Sequence, residues 1–274
     1  MATCENIRFL DNSFLNQALS VTSDEDYNGQ YAIDATDVFD FGRYRLTENA
    51  ELGGYVIDIE LNGELQPSTF AMVPHDTTKF YLTSETEVVV QASNSGFDTI
   101  EKTFTGRWSR FGVFCDFMET GVDNSYRFWR IWIKEFNRGE SEKNESIDIK
   151  YFYLGDHVEI DDRNIATGIG IEMIDRSKIQ IVESGRAYSN KKRKQLKLTN
   201  LRFQHMTSGD RSKFQIFYEE KGKTDNFLCI PDPSNASEAV PFDLMRVFRL
   251  EKLPRGEHKI LDQVTMNFSL IEAL

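Results

Sequence analysis

The sequence predicts an all-β, mainly antiparallel protein built as two sandwich-like domains, the second carrying one short helix. Three observations predict it. Apolar residues alternate with polar ones in short runs along the whole chain, the period of a half-buried strand. The aromatic load is high, with 21 Phe, 10 Tyr and 3 Trp, and aromatic side chains favour pleated surfaces. Long β-α-β alternation is missing, which argues against a parallel α/β sheet.

The elements follow in order. In residues 55–61, Tyr55, Ile57, Ile59 and Leu61 alternate with Val56, Asp58 and Glu60, and Asn62-Gly63 then reads as a tight hairpin turn. Residues 80–83, 88–92, 99–105 and 111–117 are further strand candidates. Residues 126–133 read YRFWRIWI. Trp129, Ile131 and Ile133 would point one way, and Tyr126, Phe128, Arg130 and Trp132 the other. Aromatic residues on both faces imply a central strand, or one whose outer face meets a partner. The polar run 137–146 reads as an exposed loop. Ile147, Ile149, Tyr151 and Tyr153 alternate again, and Gly155-Asp156 reads as the end of that strand. Turn chemistry and the acidic stretch after it put the domain boundary there, giving domains 1–155 and 156–274.

The second half shows strand patterns at 169–173, 179–183 and 195–203. A helix is expected over 210–221. Ser208 or Asp210 would cap it, Phe214, Phe217 and Tyr218 would share one face, and Gly222 would end it. Strands return at 227–230, 244–250 and 264–271, the last with Val264, Met266, Phe268 and Leu270 on one side.

Charge and cysteine content bound the function. The formal net charge is −12, which speaks against a nucleic-acid binder and against docking on an anionic membrane. Three widely spaced cysteines, Cys4, Cys115 and Cys229, form neither a disulfide framework nor a zinc pattern, so a reducing cytoplasm is the expected folding compartment. The start MATCENIRFL lacks the basic and apolar regions of a signal peptide, and no apolar run is long enough for membrane insertion.

A search for chemistry gives little. No HExxH, GxSxG or CxxC motif occurs. Gly222-Lys223-Thr224 lacks the upstream glycine of a phosphate-binding loop, since Phe217 stands in its place. The expectation is no catalytic residue, no cofactor and no resident metal. An oxygen-rich calcium loop over Asp156, Glu159, Asp161 and Asp162 stays open beside a plain solvated acidic loop. The candidate contact residues are instead aromatic and basic. Trp108, Phe128 and Trp132 are candidates for a partner or a sugar face, with residues 94–97 (NSGF) as a neighbouring loop. Lys191, Lys192, Arg193 and Lys194 form a basic run that reads either as a solvated turn or as a contact with an acidic neighbour. Pro231, Asp232 and Pro233 would make a rigid turn, because proline fixes φ and cannot extend a strand ladder.

The order of several segments resembles that of a group of bacteriophage tail structural proteins. The segments are YRFWRIWI (126–133), IDIKYFYLGD (147–156), ESGRAY (183–188), the aromatic-bearing helix, FLCIPDP (227–233) and VTMNFSLIEAL (264–274). The opening CENIRFLDNSFL (4–15) is similar to the starts of such proteins. The resemblance covers mainly residues 120–274. It implies a discoidin-type or galactose-binding-like sandwich followed by a smaller β-domain used for subunit contacts. The implied role is a non-catalytic virion protein near the tail tip or baseplate, folded in the host cytoplasm. Its partners would be copies of itself and other tail proteins. The alternative is a carbohydrate-binding module that contacts a glycan on the host surface.

Overall fold

The computed structural model describes residues 8–23, 44–47, 52, 54–74, 87–109, 112–117, 125–134, 146–159, 170–181, 187–190, 192, 194–230, 245–260 and 263–273. The strands are, in chain order, β1 (Arg8–Ser13), β2 (Ala18–Ser23), β3 (Tyr44–Thr47), β4 (Tyr55–Leu65), β5 (Thr69–Pro74), β6 (Glu87–Ser93), β7 (Lys102–Thr105), β8 (Arg107–Ser109) and β9 (Gly112–Asp116). After them come β10 (Tyr126–Lys134), β11 (Ser146–Glu159), β12 (Gly170–Ile174), β13 (Lys178–Ile181), β14 (Ala187–Asn190) and β15 (Gln195–Met206). The helix α1 (Ser208–Lys221) precedes β16 (Phe227–Ile230), β17 (Arg246–Ile260) and β18 (Gln263–Glu272). The protein is all-β and mainly antiparallel, with one α-helix and one 3-10 turn (Phe14–Gln17) among the described residues.

Two compact units make up the chain. The first spans Leu10–His157 and includes Met245. The second spans Val158–Ser234 and Arg246–Leu274. The second unit also takes Arg8 and Phe9, so the units are not consecutive pieces of chain.

In the first unit, a five-stranded sheet runs in the order β2-β4-β10-β6-β7. A second layer has the order β11-β5-β9-β8, with β3 paired to β11. The core lies between the two. Ile57, Val90, Trp129 and Ile131 from the first sheet join Phe70, Met72, Cys115 and Phe152 from the second in one apolar cluster. Trp129 is fully buried; it stacks on Phe104 at 6.3 Å and meets Phe117 at 5.0 Å. Burying a side chain of this kind stabilises the fold by roughly 1.5–3 kcal/mol. β5 is buried on both faces, since Ala71 and Val73 on one side and Phe70 and Met72 on the other are all buried.

In the second unit, β12-β15-β18-β17-β16 form a sheet, and β13 pairs with β14 as a separate hairpin. Phe9 lies at the centre of the unit's aromatic core, within 6.4 Å of Phe203, Phe214, Phe217, Phe227 and Phe268. Phe214 and Phe217 are the buried aromatics of α1, as the helical spacing predicts.

Several expectations need correcting, most of them for a reason found in strand pairing. Asn62-Gly63 is not a hairpin turn. β4 continues to Leu65, and Gly63, with φ of 115°, lies in a bulge opposite the start of β10, where the register jumps between Tyr126/Phe128. The same irregularity breaks the alternation of β10, so Tyr126 joins the core beside Trp129 and does not share the face of Phe128. β11 runs past Gly155-Asp156 to Glu159. A shift between Ile149/Tyr151 changes its phase, so Phe152 and Leu154 enter the core. The strand expected at 99–105 starts only at Lys102, because residues 94–99 form a hydrogen-bonded loop. β17 extends to Ile260 through Pro254, which falls where the pairing with β18 is irregular between Lys252/Arg255. The helix cap is Thr207, not Ser208 or Asp210. Its hydroxyl accepts from the Asp210 N–H at 3.2 Å while the Asp210 carboxylate accepts from the Thr207 N–H, a closed capping box. The candidates at 80–83 and 137–145 lie outside the described residues.

Candidate binding face

β10 is the central strand of the five-stranded sheet, flanked by β4 and β6. Alternation fixes its two faces. Trp129, Ile131 and Ile133 fill the core. Phe128, Arg130, Trp132 and Lys134 are partly exposed on the opposite face.

Each cation on that face has a carboxylate and a ring. The Arg130 guanidinium makes two 2.7 Å bonds to Asp58, its register partner on β4. It also lies 4.2 Å from the ring centroid of Phe97. Arg127 pairs with Glu60 and lies 5.3 Å from the Phe128 ring. Lys134 is 3.5 Å from Glu87 and 4.5 Å from the Trp132 ring. Forked guanidinium–carboxylate pairs are geometrically specific, and cations over rings gain further in partly dry surroundings. Phe97 and Phe128 meet edge to face at 6.2 Å.

Phe97 comes from the loop between β6 and β7 in a left-handed conformation, with φ of 71°. A bulky residue there carries strain of about 1–3 kcal/mol, and the surroundings must hold it. Ser93 does so. Its buried hydroxyl accepts from the Ser95 and Phe97 N–H groups at 3.0 and 3.3 Å and donates to the Thr99 carbonyl at 2.7 Å. The Asn94 side chain ties the loop to β10, accepting from the Arg127 N–H at 2.9 Å. The backbone conformation of Phe97 is therefore held by hydrogen bonds within the loop and to β10.

Phe128 and Trp132, both singled out from sequence, lie on the same face of β10, and Phe97 from the NSGF loop meets Phe128 there. Trp108 lies elsewhere, on β8 at the end of the other layer, opposite Val113. Of the basic run, Lys192 and Lys194 are exposed in the connection from β14 to β15. The Lys192 N–H donates to the Ser177 hydroxyl at 2.9 Å, which fixes this turn. Hydrogen bonds from Ser177 hold the Asp175 carboxyl below its ordinary range, with Lys194 adding to the effect. Lys191, Arg193, Pro231, Asp232 and Pro233 lie outside the described residues. So do Asp161 and Asp162 of the calcium candidate, whereas Asp156 and Glu159 belong to β11. Among the described residues, no group of three or more His, Cys, Asp or Glu is placed to hold a metal ion. No helix of the described residues is long and apolar enough to cross a membrane.

A second polar cluster joins the start of β5 to β11. His157 Nδ1 lies 2.8 Å from both the Ser68 and Thr69 hydroxyls, and Thr69 is fully buried. Burial pushes the Asp156 carboxyl up, an effect that His157 and Ser68 partly offset. The cluster satisfies polar groups where these two strands meet.

Sequence reasoning reached the ring positions but not their charge partners. Asp58 and Glu87 are 72 and 47 residues from their cations, and only the β4-β10-β6 register joins them.

No family model and no curated protein matches the chain. Among solved structures, the C-terminal domain of a chitobiase from Bacteroides fragilis aligns with 14% identity and a TM-score of 0.33, over 55% of this chain and 99% of that one. An alignment at that score does not establish a common fold.

Proposed function

We propose that the chain is a non-catalytic structural protein of a bacteriophage tail, near the tip or baseplate, that works by binding copies of itself and neighbouring tail proteins. The order of its segments motivates the tail reading. One observation supports self-assembly. β12 ends the strand order of the second unit, and Ile171 and Met173 on it are 54% and 58% exposed. Their register partners on β15, Leu198 and Leu196, are buried. Paired residues in an antiparallel ladder project from the same face. The apolar face of the sheet therefore continues onto β12 without being covered there among the described residues. Open strand edges take up further strands, and natural proteins otherwise protect them with charge or cover. A second copy is the occupant that a symmetric particle supplies, and its contacts recur around the ring. On this reading the protein folds in the host cytoplasm and resides in the virion.

Light scattering after size exclusion tests the assembly. The expected result is a closed multiple of 31.7 kDa. The double variant Ile171→Asp, Met173→Asp should fall to the single-chain mass with unchanged circular dichroism. A single-chain mass for the unaltered protein at high concentration, or an oligomer insensitive to the double variant, refutes self-assembly through β12.

The alternative, a carbohydrate-binding module, draws support from a different place, the aromatic face of the first unit.

A further inference from the structure

We infer that the outer face of the five-stranded sheet is a carbohydrate-binding site for neutral glycans, centred on Phe97, Phe128 and Trp132. The inference does not depend on assembly through β12, since it uses other residues in the other unit.

The argument begins with charge. The three cations on or beside the face, Arg127, Arg130 and Lys134, are matched by Glu60, Asp58 and Glu87. An occupant of either sign therefore gains little, which disfavours nucleic acid and acidic polysaccharide alike. Away from these pairs the face is uncharged: Val56 and Val89, both buried, flank Trp132, and the rest is polar. Ser20 and Thr22 stand beside Glu60 and Asp58 on one side, and Gln91 stands opposite Thr103 on the other. Rings at the centre with hydroxyls and an amide at the flanks suit a ligand that has both apolar C–H faces and many hydroxyl groups. A pyranose ring has both. Its C–H face packs on an aromatic ring, and its hydroxyls can donate to the lone pairs of the Asp58 carboxylate that the Arg130 fork does not use.

Rigidity is the second strand of the argument. Phe97 is held at φ of 71° by Ser93 and Asn94, and Arg130 is clamped by Asp58, so neither has to be ordered on binding. Preorganisation of this kind raises affinity by reducing what association must freeze. A loop that served only to connect β6 to β7 would relieve its strain with glycine at position 97.

That contrast supplies the test. Wild-type protein is titrated by calorimetry and by tryptophan fluorescence with neutral oligosaccharides, namely cello-, malto- and manno-hexaose and an N-acetylglucosamine hexamer, with heparin as the acidic control. At least one neutral probe should bind, and heparin should bind more weakly. Phe97→Gly should unfold at the same or higher urea concentration yet lose tenfold or more in affinity. Trp132→Ala should lose binding while keeping the circular dichroism of the fold. No binding by any neutral probe at millimolar concentration overturns the inference. So does stronger binding of heparin, or binding unchanged in both variants. A lower mass of Phe97→Gly in light scattering would also overturn it, because the face would then be an interface between copies. The binding outcomes leave the Ile171 and Met173 variant untouched, so the two readings fail separately; the mass of Phe97→Gly alone bears on both.

Discussion

Gly54 shows how a single position is dictated by its surroundings. Its φ is 76°, and a Cβ added there would lie 2.2 Å from the carbonyl oxygen of Ile133. Both the backbone conformation and the space exclude a side chain. Gly54→Ala should therefore destabilise the protein by about 2 kcal/mol or more, read as a lower urea midpoint. Nothing in the sequence marks Gly54 over its neighbour Gly53, since the clash arises from a strand about eighty residues away. The face of Trp132 is a contrasting case. Alternation alone separates it from Trp129, because both lie within one uninterrupted stretch of β10. Alternation fails at Tyr126 in the same strand, where the bulge lies in the pairing and not in the chain's own pattern.

Among the elements, α1 is the one whose limits are set by local chemistry. Thr207 and Asp210 close its first turn, and the Gly222 N–H donates to the Tyr218 carbonyl at its end. Thr207→Ala removes the hydroxyl from the cap and should cost about 1 kcal/mol, measured by urea unfolding, with helical content otherwise retained. The aromatic spacing and Gly222 are legible in the sequence. The choice of Thr207 over Ser208 is not, because several adjacent residues are capable caps and the backbone geometry at position 207, φ of −69° and ψ of 167°, selects among them. Strand lengths were harder to read than strand positions. β4, β11 and β17 all run beyond glycine, proline or asparagine signals that ordinarily end a strand. Bulges absorb those residues without ending the ladder, and a bulge needs a partner strand before it can be recognised.

For the molecule as a whole, Phe9 has the largest consequence for its position in the chain. It comes from the N-terminal strand, yet its ring packs among five phenylalanines of the second unit. Phe9→Ala should destabilise that unit by about 3–5 kcal/mol, the usual cost of removing a buried phenylalanine, while the Trp129 core keeps its signature in near-ultraviolet circular dichroism. Equal loss of both signals would show instead that the two units unfold as one. By itself the sequence determined the all-β class, the positions of most described strands, the helix and the two-faced character of β10. These are properties of local periodicity, which a pleated or helical backbone converts directly into buried and exposed faces. Only the tertiary structure decided that Phe9 serves the second unit, that Asp58 clamps Arg130, and that Phe97 stands beside Phe128. Those are matters of register and of chain crossing between residues far apart in sequence, and no local pattern encodes which strand will lie next to which.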